Sequence, residues 1–220
     1  MAADMEVQNQ VDHKEKDADK QKEKESTEKS LSPELLIKHP LQNEWTMWFF
    51  KQDSTRSWEE SQIVVASFDT VEDFWALYNH IELASKLKTG CDYSLFKKGI
   101  KPMWEDTRNC AGGRWIINLS KNQRATELDN FWMEMLLLLI GEAFDQDSEE
   151  VCGAVVNVRA KGDKVGVWTR DAQNAAGIIK IGNKIKKYLH LPPGFMMHFF
   201  PHDESASNKL SRSALYQIQV

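Results

Sequence analysis

The stretch VCGAVVNVRAKGDKVGVW, residues 151–168, decides the fold. Its first part, residues 151–159, is rich in β-branched side chains and predicts a strand. Gly162-Asp163 is typical of a tight turn, and residues 164–168 predict a second strand that pairs back on the first. Because such a hairpin joins antiparallel neighbours, the stretch indicates an antiparallel sheet.

Similar signals continue on both sides of this hairpin. Alternating or aromatic-rich segments predict further strands at residues 41–51, 62–68, 92–97, 114–119, 195–200 and 215–220. Helical periodicity predicts helices at Val71–Tyr78, Leu128–Ile140 and residues 174–190, with Thr70 and Asp73 as a capping pair and Gly141 as a C-cap. We therefore expect an α+β fold, a mainly antiparallel sheet of about eight strands with the helices on one face and the other face left for a ligand.

The charge distribution separates a tail from a body. Residues 1–34 contain ten acids and six bases, so −4 of the net charge of −5 lies there. With almost no large apolar side chains, this segment predicts a disordered tail, and residues 35–220 a single domain. The body is then nearly neutral, whereas general nucleic-acid binders carry a strong basic excess. Any RNA binding must use a local basic site.

Cysteine content and hydropathy limit the kinds of protein and compartment that fit this chain. The three cysteines contain no CxxC pair, which argues against a zinc site or a disulfide framework and fits a reducing compartment. The charged N-terminus has no apolar stretch typical of a secretory signal. The longest apolar run, residues 135–140, is too short to span a bilayer. We expect a cytoplasmic protein that makes no membrane contact, with a nuclear pool left open.

Two of the eight tryptophans lie in polar loops. Trp45, Trp48, Trp115 and Trp132 fall among apolar residues of predicted strands or helices, and we expect them in the core. Trp58 and Trp104 instead have hydrophilic neighbours. An indole in such a loop makes either a chance surface contact or a binding contact with a flat ligand, and the loops alone favour neither.

Four motifs resemble those of the eukaryotic translation initiation factor 4E family. They are HPLQN at residues 39–43 with Trp45 and Trp48, FDTVEDFW at 68–75, PMWED at 102–106 and VNVRAKGDK at 156–164. The resemblance covers residues 39–202 and weakens after Gly194. It implies a curved sheet with three helices on its convex face and, on the concave side, a slot for the 7-methylguanosine cap of messenger RNA.

The resemblance also implies roles for the residues that match the family's cap site. Trp58 and Trp104 would stack on the two faces of the methylated guanine, whose positive charge attracts indole rings. Glu105 would accept hydrogen bonds from the guanine N1–H and 2-amino groups, and Trp168 would contact the methyl group. Arg159 and Lys164 would bind the phosphates directly, with weaker contacts from Lys161 and Arg114.

A second surface follows from the same resemblance. Family members bind the scaffold subunit of the initiation complex, and competing repressors, through a helical peptide that carries Tyr and Leu. The matching residues here are His39, Pro40, Val71, Trp75, Met133, Glu134 and Leu137. Val71 and Trp75 share one helix face at i, i+4 spacing, and so do Met133 and Leu137. Without the resemblance, packing in the core would be the favoured interpretation. We expect a monomer outside the complex.

Other signals carry less weight. His198 and His202 have i, i+4 spacing on a predicted strand end, so no metal pair follows. Ser211 lies near a regulatory phosphoserine of some relatives, although its neighbours depart from that pattern. The sequence predicts no catalytic residue, cofactor or metal site. A decapping hydrolase would need clustered metal-binding glutamates, which no helix motif provides. A repressive cap-binding paralogue is the alternative function, but tryptophan at both stacking positions favours the initiation factor.

Overall fold

The computed structural model describes residues 37–53, 55–202 and 214–219. Its eight strands in this part of the chain are β1 Pro40–Lys51, β2 Gln62–Thr70, β3 Cys91–Lys97, β4 Gly113–Leu119, β5 Val151–Asn157, β6 Asp163–Thr169, β7 Met196–Pro201 and β8 Tyr216–Gln219. The three α-helices within these ranges are α1 Val71–Tyr78, α2 Leu128–Ile140 and α3 Ala175–Tyr188. The predicted tail of residues 1–34 and Ser211 lie outside the described residues.

The strands form one sheet in the order β2-β1-β3-β5-β6-β4-β7-β8. Every neighbouring pair is antiparallel, which confirms the predicted α+β fold. The β5–β6 hairpin lies at the centre, with Val156 opposite Val165 and Asn157 opposite Lys164. Its turn requires Gly162, whose φ of 146° lies in a region that side chains avoid. A Cβ there would lie 2.5 Å from the Leu119 carbonyl oxygen.

The two faces of the sheet differ because successive side chains of a strand point in opposite directions. Trp45, Met47 and Leu95 face the main core, where eight residues of α2 are also buried. Asp92 and Ser94 of β3 point to the opposite face, which is the face that carries the cavity. The helices therefore cover one face and leave the other available, as the sequence predicted.

Three of the four tryptophans predicted for the core are buried there. Trp45, Trp115 and Trp132 are almost fully buried. The prediction was wrong for Trp48, which is only half-buried. Trp48 lies opposite Ser94 in the β1–β3 register, on the cavity face, because the alternation along β1 turns it away from the helices.

The predicted helix ends are present. Thr70 caps α1: its hydroxyl accepts from the Asp73 N–H at 3.2 Å and donates to the Asp73 carboxylate at 2.7 Å. Helix α2 ends at Gly141, but the left-handed conformation falls on the next residue, Glu142, at a φ of 49°. The Glu142 carboxylate accepts from the Asn43 side-chain amide at 2.6 Å. No helix within the described ranges has both the length and the apolar character needed to cross a membrane.

Candidate functional site

A cavity of about 470 Å³ opens on the sheet face opposite the helices. Its floor comes from the middles of the central strands and its walls from the β1–β2 and β3–β4 loops. Seven of the eight residues predicted to contact a cap line it: Trp58, Trp104, Glu105, Arg114, Arg159, Lys164 and Trp168. The eighth, Lys161, is exposed on the β5–β6 turn, outside the lining. The fold therefore brings seven of the eight predicted residues together around one cavity.

Trp58 stands in the β1–β2 loop with 46% of its surface exposed. The loop holds its shape through Ser57, whose N–H and hydroxyl both donate to the Glu60 carboxylate, at 2.9 and 3.0 Å. Phe50 lies beside the indole, with ring centroids 6.0 Å apart. One indole face is therefore available to a ligand before any ligand binds.

Trp104 and Glu105 lie in the β3–β4 loop, which a buried amide holds in place. Asn109 is fully buried and donates to the carbonyl oxygens of Lys101 and Met103, at 2.9 and 2.8 Å. The Trp104 ring is half-buried at the cavity wall, and the Glu105 carboxylate is exposed beside it. This arrangement places an aromatic face next to a pair of hydrogen-bond acceptors.

An ion pair joins the two tryptophan-bearing loops. Lys101 Nζ lies 3.2 Å from the Glu59 carboxylate, and both side chains are exposed. Pairs of this kind contribute only about 0–1 kcal/mol to stability. The contact nevertheless links the residue after Trp58 to the loop of Trp104.

The floor of the cavity is formed by Trp168 and the side chains around it. Its indole meets Phe96 edge-on, with centroids 5.5 Å apart, and lies 4.1 Å from the imidazole of His202. The Arg114 guanidinium carbon is 5.9 Å from the indole centre. These contacts hold in place a ring of β6 that lines the cavity.

His202 is a neutral partner of Arg114. Arg114 Nη1 lies 3.1 Å from His202 Nδ1. Because a guanidinium only donates, Nδ1 accepts, and the imidazole proton lies on Nε2. Burial, with a contribution from the Arg114 charge, lowers the pKa of His202 to about 3. Sequence reasoning considered His202 only as a metal ligand and missed this role.

Arg159 is held at both its backbone and its side chain. Its guanidinium makes a two-point ion pair with the Asp92 carboxylate, in which the Nη2–Oδ2 distance is 2.9 Å. This contact with Asp92 raises the pKa of Arg159 and keeps it charged. Lys164 is exposed at the edge of the same cavity. Asp92 was missed by sequence reasoning, although Asp92 and Ser94 alternate with apolar residues on β3 and so indicate a polar face.

The residues predicted for the second surface lie on the outer sides of α1 and α2 and at the start of β1, where the His39 carbonyl oxygen accepts from the Val71 N–H at the start of α1. Trp75 is 37% exposed, Val71 is half-buried, and His39 and Pro40 are exposed. His39 N–H and Nδ1 contact the Glu72 carboxylate at 2.9 and 2.6 Å, which ties His39 to the first turn of α1. Hydrogen bonds from His39 lower the pKa of Glu72.

Helix α2 supplies the remaining three residues. Met133 and Leu137 are half-buried and Glu134 is exposed, on the side of α2 away from the eight buried residues. Burial, with a smaller effect of the charge of Asp129 in the first turn of α2, raises the pKa of Tyr78 on α1. The predicted residues thus occupy exposed or half-buried positions on the outer sides of the two helices and at the start of β1.

The described residues provide neither a metal-binding cluster nor a disulfide. Within the described ranges, no group of three or more His, Cys, Asp or Glu residues is arranged to hold a metal ion. Cys91, Cys110 and Cys152 are all free thiols. Burial raises the pKa of Cys152 to about 12, so this thiol is unreactive.

The chain is similar to several known proteins. The model of the family "Eukaryotic initiation factor 4E" matches residues 40–216. Eukaryotic translation initiation factor 4E of Aplysia californica is 59% identical over 179 residues, which are 81% of this chain and 83% of that protein. The crystal structure of Ascaris suum eIF4E-3 with m7G cap has a TM-score of 0.78 at 47% identity and covers 83% of this chain and 98% of that one.

A further solved structure is the complex of C. elegans eIF4E-3 with the 4E-binding protein Mextli and cap analog. Its TM-score is 0.77 at 44% identity, covering 83% of this chain and 100% of that one. The matched residues cover strands β1 to β7, the first residue of β8, both tryptophan loops and the basic hairpin. The chain therefore belongs to the eukaryotic initiation factor 4E family.

Proposed function

We propose that this protein binds the 7-methylguanosine 5′ cap of messenger RNA in the cavity and acts in translation initiation. The observation that carries the proposal is the meeting of two loop tryptophans, one exposed carboxylate and a basic edge in a single cavity. The Ascaris suum relative was crystallised with m7G cap, which supports the same ligand class here.

The two indoles supply affinity and methyl selectivity. Stacking on aromatic side chains contributes about 1–3 kcal/mol per base for any base. Methylation at N7 gives guanine a delocalised positive charge, and cation–π attraction to two rings adds about 1–4 kcal/mol. Trp58 and Trp104 therefore select the methylated base, by tenfold to several hundredfold. Trp168 lies on the floor, where its ring contacts the methyl group.

The polar groups of the cavity read the base and bind the phosphates. The Glu105 carboxylate accepts from guanine N1–H and the 2-amino group, which adenine cannot match, and the Trp104 backbone N–H donates to O6. Arg159 and Lys164 bind the phosphates with charge-assisted hydrogen bonds. Arg114 and Lys161 make weaker contacts, in keeping with the hydrogen bond between Arg114 and His202 and the position of Lys161 outside the cavity lining.

The second part of the proposal concerns the helical face. Val71 and Trp75 on α1 and Met133 and Leu137 on α2 supply the apolar contacts that an amphipathic helix carrying Tyr and Leu needs, and His39, Pro40 and Glu134 supply further contacts to it. The occupants we propose are the initiation scaffold subunit of the factor 4G type and the repressors that compete with it. The C. elegans relative was solved with a 4E-binding protein, which supports this partner class.

The proposed activity is binding without turnover. Each cavity residue has a recognition role as a stacking ring, a hydrogen-bond acceptor or a cation, and no step of bond cleavage is assigned to any of them. We place the protein in the cytoplasm, where capped messenger RNA meets the initiation scaffold. Tryptophan at both stacking positions supports an initiation factor over a repressive paralogue.

Quenching of tryptophan fluorescence tests the cap proposal. We expect 7-methyl-GTP to quench strongly and GTP to bind at least about tenfold more weakly. Trp104→Ala should weaken 7-methyl-GTP binding by about 1–3 kcal/mol through the lost stacking. Tyr188→Ala, which removes an exposed aromatic ring of α3 far along the chain from both loops, should leave the affinity unchanged. Equal affinity for GTP and 7-methyl-GTP would contradict the proposal.

A further inference from the structure

A buried ion pair lies next to the β5–β6 turn, outside the cavity lining. Arg124 ends a short helical turn, Lys121–Arg124, that follows β4. Its Nε and Nη2 donate to the two Asp163 carboxylate oxygens, each at 2.7 Å. The Asp163 side chain is completely buried and that of Arg124 is 20% exposed. The two-point contact with Asp163 raises the pKa of Arg124, so Arg124 stays charged.

The same pair fixes the backbone of Arg159. The Arg159 carbonyl oxygen accepts from Arg124 Nη2 at 2.6 Å, and the Arg159 N–H donates to Asp163 Oδ1 at 2.9 Å. Both polar backbone groups of Arg159 are thus bound by one ion pair. At the other end of the residue, the guanidinium is held by Asp92. Lys164 directly follows Asp163, so the pair also fixes where Lys164 leaves the turn.

Stability alone does not account for such a pair. Desolvation of two buried charges largely offsets their attraction, and well-packed apolar side chains stabilise a core at least as well. What a planar guanidinium adds is a fixed geometry, because it binds a carboxylate at two points and a carbonyl at a third. Here these hydrogen bonds hold the backbone of Arg159 and the residue before Lys164, the two cations that we propose bind phosphate.

We propose that Arg124 and Asp163 are positioning residues for the phosphate end of the ligand, setting the places of Arg159 and Lys164 without touching the ligand. The inference rests on the proposed cap binding. The inference predicts that the Arg124–Asp163 pair affects only the part of the affinity that the phosphates contribute. Stacking on Trp58 and Trp104 does not depend on it.

The test compares two ligands on Arg124→Lys, which keeps the charge and loses the two-point geometry. The Kd values of 7-methyl-GTP and of the nucleoside 7-methylguanosine, which has no phosphate, are measured by fluorescence quenching. We expect the Kd of 7-methyl-GTP to rise about tenfold, as for loss of a positioned charge-assisted hydrogen bond. The Kd of 7-methylguanosine should stay within about twofold, a change too small for a lost hydrogen bond. The salt dependence of 7-methyl-GTP binding should become shallower, because fewer phosphate contacts form.

Arg170→Lys is the matched control. Arg170 pairs with Glu150, at 3.8 Å, beyond the opposite end of β6 and away from the cavity lining. The same substitution there should change neither Kd. Asp163→Asn keeps the side-chain volume and removes the charge, and it should repeat the selective loss of 7-methyl-GTP affinity.

The outcomes separate the two proposals. If the wild-type protein does not prefer 7-methyl-GTP to GTP, the cap proposal fails. If the wild-type protein does, but both pair variants bind the two ligands normally, or lose affinity for both equally, the positioning inference is overturned. Equal loss would include the case in which a variant misfolds, since stacking would then be lost as well.

Discussion

At the scale of single residues, the cavity floor depends on a histidine that must stay neutral. His202 accepts from Arg114, and its ring packs 4.1 Å from Trp168. Protonation would place a second positive charge against the Arg114 guanidinium inside the protein. The pKa of His202 is therefore lowered to about 3, mainly by burial and to a smaller extent by the Arg114 charge.

This histidine makes stability sensitive to acid. The unfolded chain binds a proton at His202 below its ordinary pKa of 6.5, whereas the folded protein does so only near 3. The free energy of unfolding should therefore fall by about 1.4 kcal/mol for each pH unit between these values, and be unaffected above 6.5. Between pH 6.5 and 5, the contribution of His202 is a loss of about 2 kcal/mol.

Urea unfolding at pH 7.5 and pH 5 measures this effect on wild-type protein and His202→Gln. The glutamine oxygen can still accept from Arg114 and does not titrate. We expect the variant to lose about 2 kcal/mol less than wild type on acidification. Identical losses would mean that His202 titrates normally in the folded protein.

Sequence patterns predicted the residues that face the ligand better than the residues behind them. The cap-contacting set was found because its members lie within short motifs. The roles of Asp92, His202 and Arg124 were missed because each meets its partner across 67, 88 and 39 positions of the chain, respectively. No local pattern encodes such pairs, since they form only when the strands reach their final order.

At the scale of elements, every predicted helix and strand is present. Their observed ends differ from the predicted ends where side chains form hydrogen bonds with the backbone. The first strand of the hairpin was predicted to run to Arg159, and β5 ends at Asn157. The reason is that the Arg159 backbone bonds to Asp163 and Arg124 in place of a neighbouring strand. Hydrophobic pattern predicts an element's existence, whereas long-range polar contacts decide its last residues.

Helix α1 offers a test at this scale because it has a single clear N-cap. Thr70→Ala removes the hydroxyl that accepts from the Asp73 N–H and donates to its carboxylate. We expect the free energy of unfolding to fall by about 1 kcal/mol. Thr126→Ala, an exposed threonine just before α2, should change it by less than about 0.5 kcal/mol. An equal effect of both substitutions, measured by urea unfolding, would contradict the capping role.

At the scale of the whole molecule, the sheet separates two proposed binding surfaces. The cavity residues point to one face of the sheet, while Trp75 and Met133 lie on helices that cover the other. The buried core lies between them. Because the surfaces share no side chain, we expect them to act independently.

A pair of substitutions tests this independence. Trp75→Ala should weaken binding of a Tyr- and Leu-containing helical peptide at least about tenfold, because an exposed apolar anchor is lost, and leave the Kd of 7-methyl-GTP unchanged. Trp104→Ala should do the reverse. The effects should add within about 0.5 kcal/mol in the double variant. Full peptide binding by Trp75→Ala would show that the partner surface is assigned wrongly.

The contact between Asp92 and Arg159 has a consequence for the choice among nucleic acids. A cation already matched by a carboxylate adds little net positive charge, so it neutralises a docking phosphate less completely and releases fewer of the counterions condensed on the RNA. An ordinary stretch of RNA, which is rich in phosphate but has no methylated base, therefore binds only weakly in the cavity. Because the charges of the body nearly balance, we expect the protein to bind weakly along the length of a transcript. It then stays free to reach the capped end.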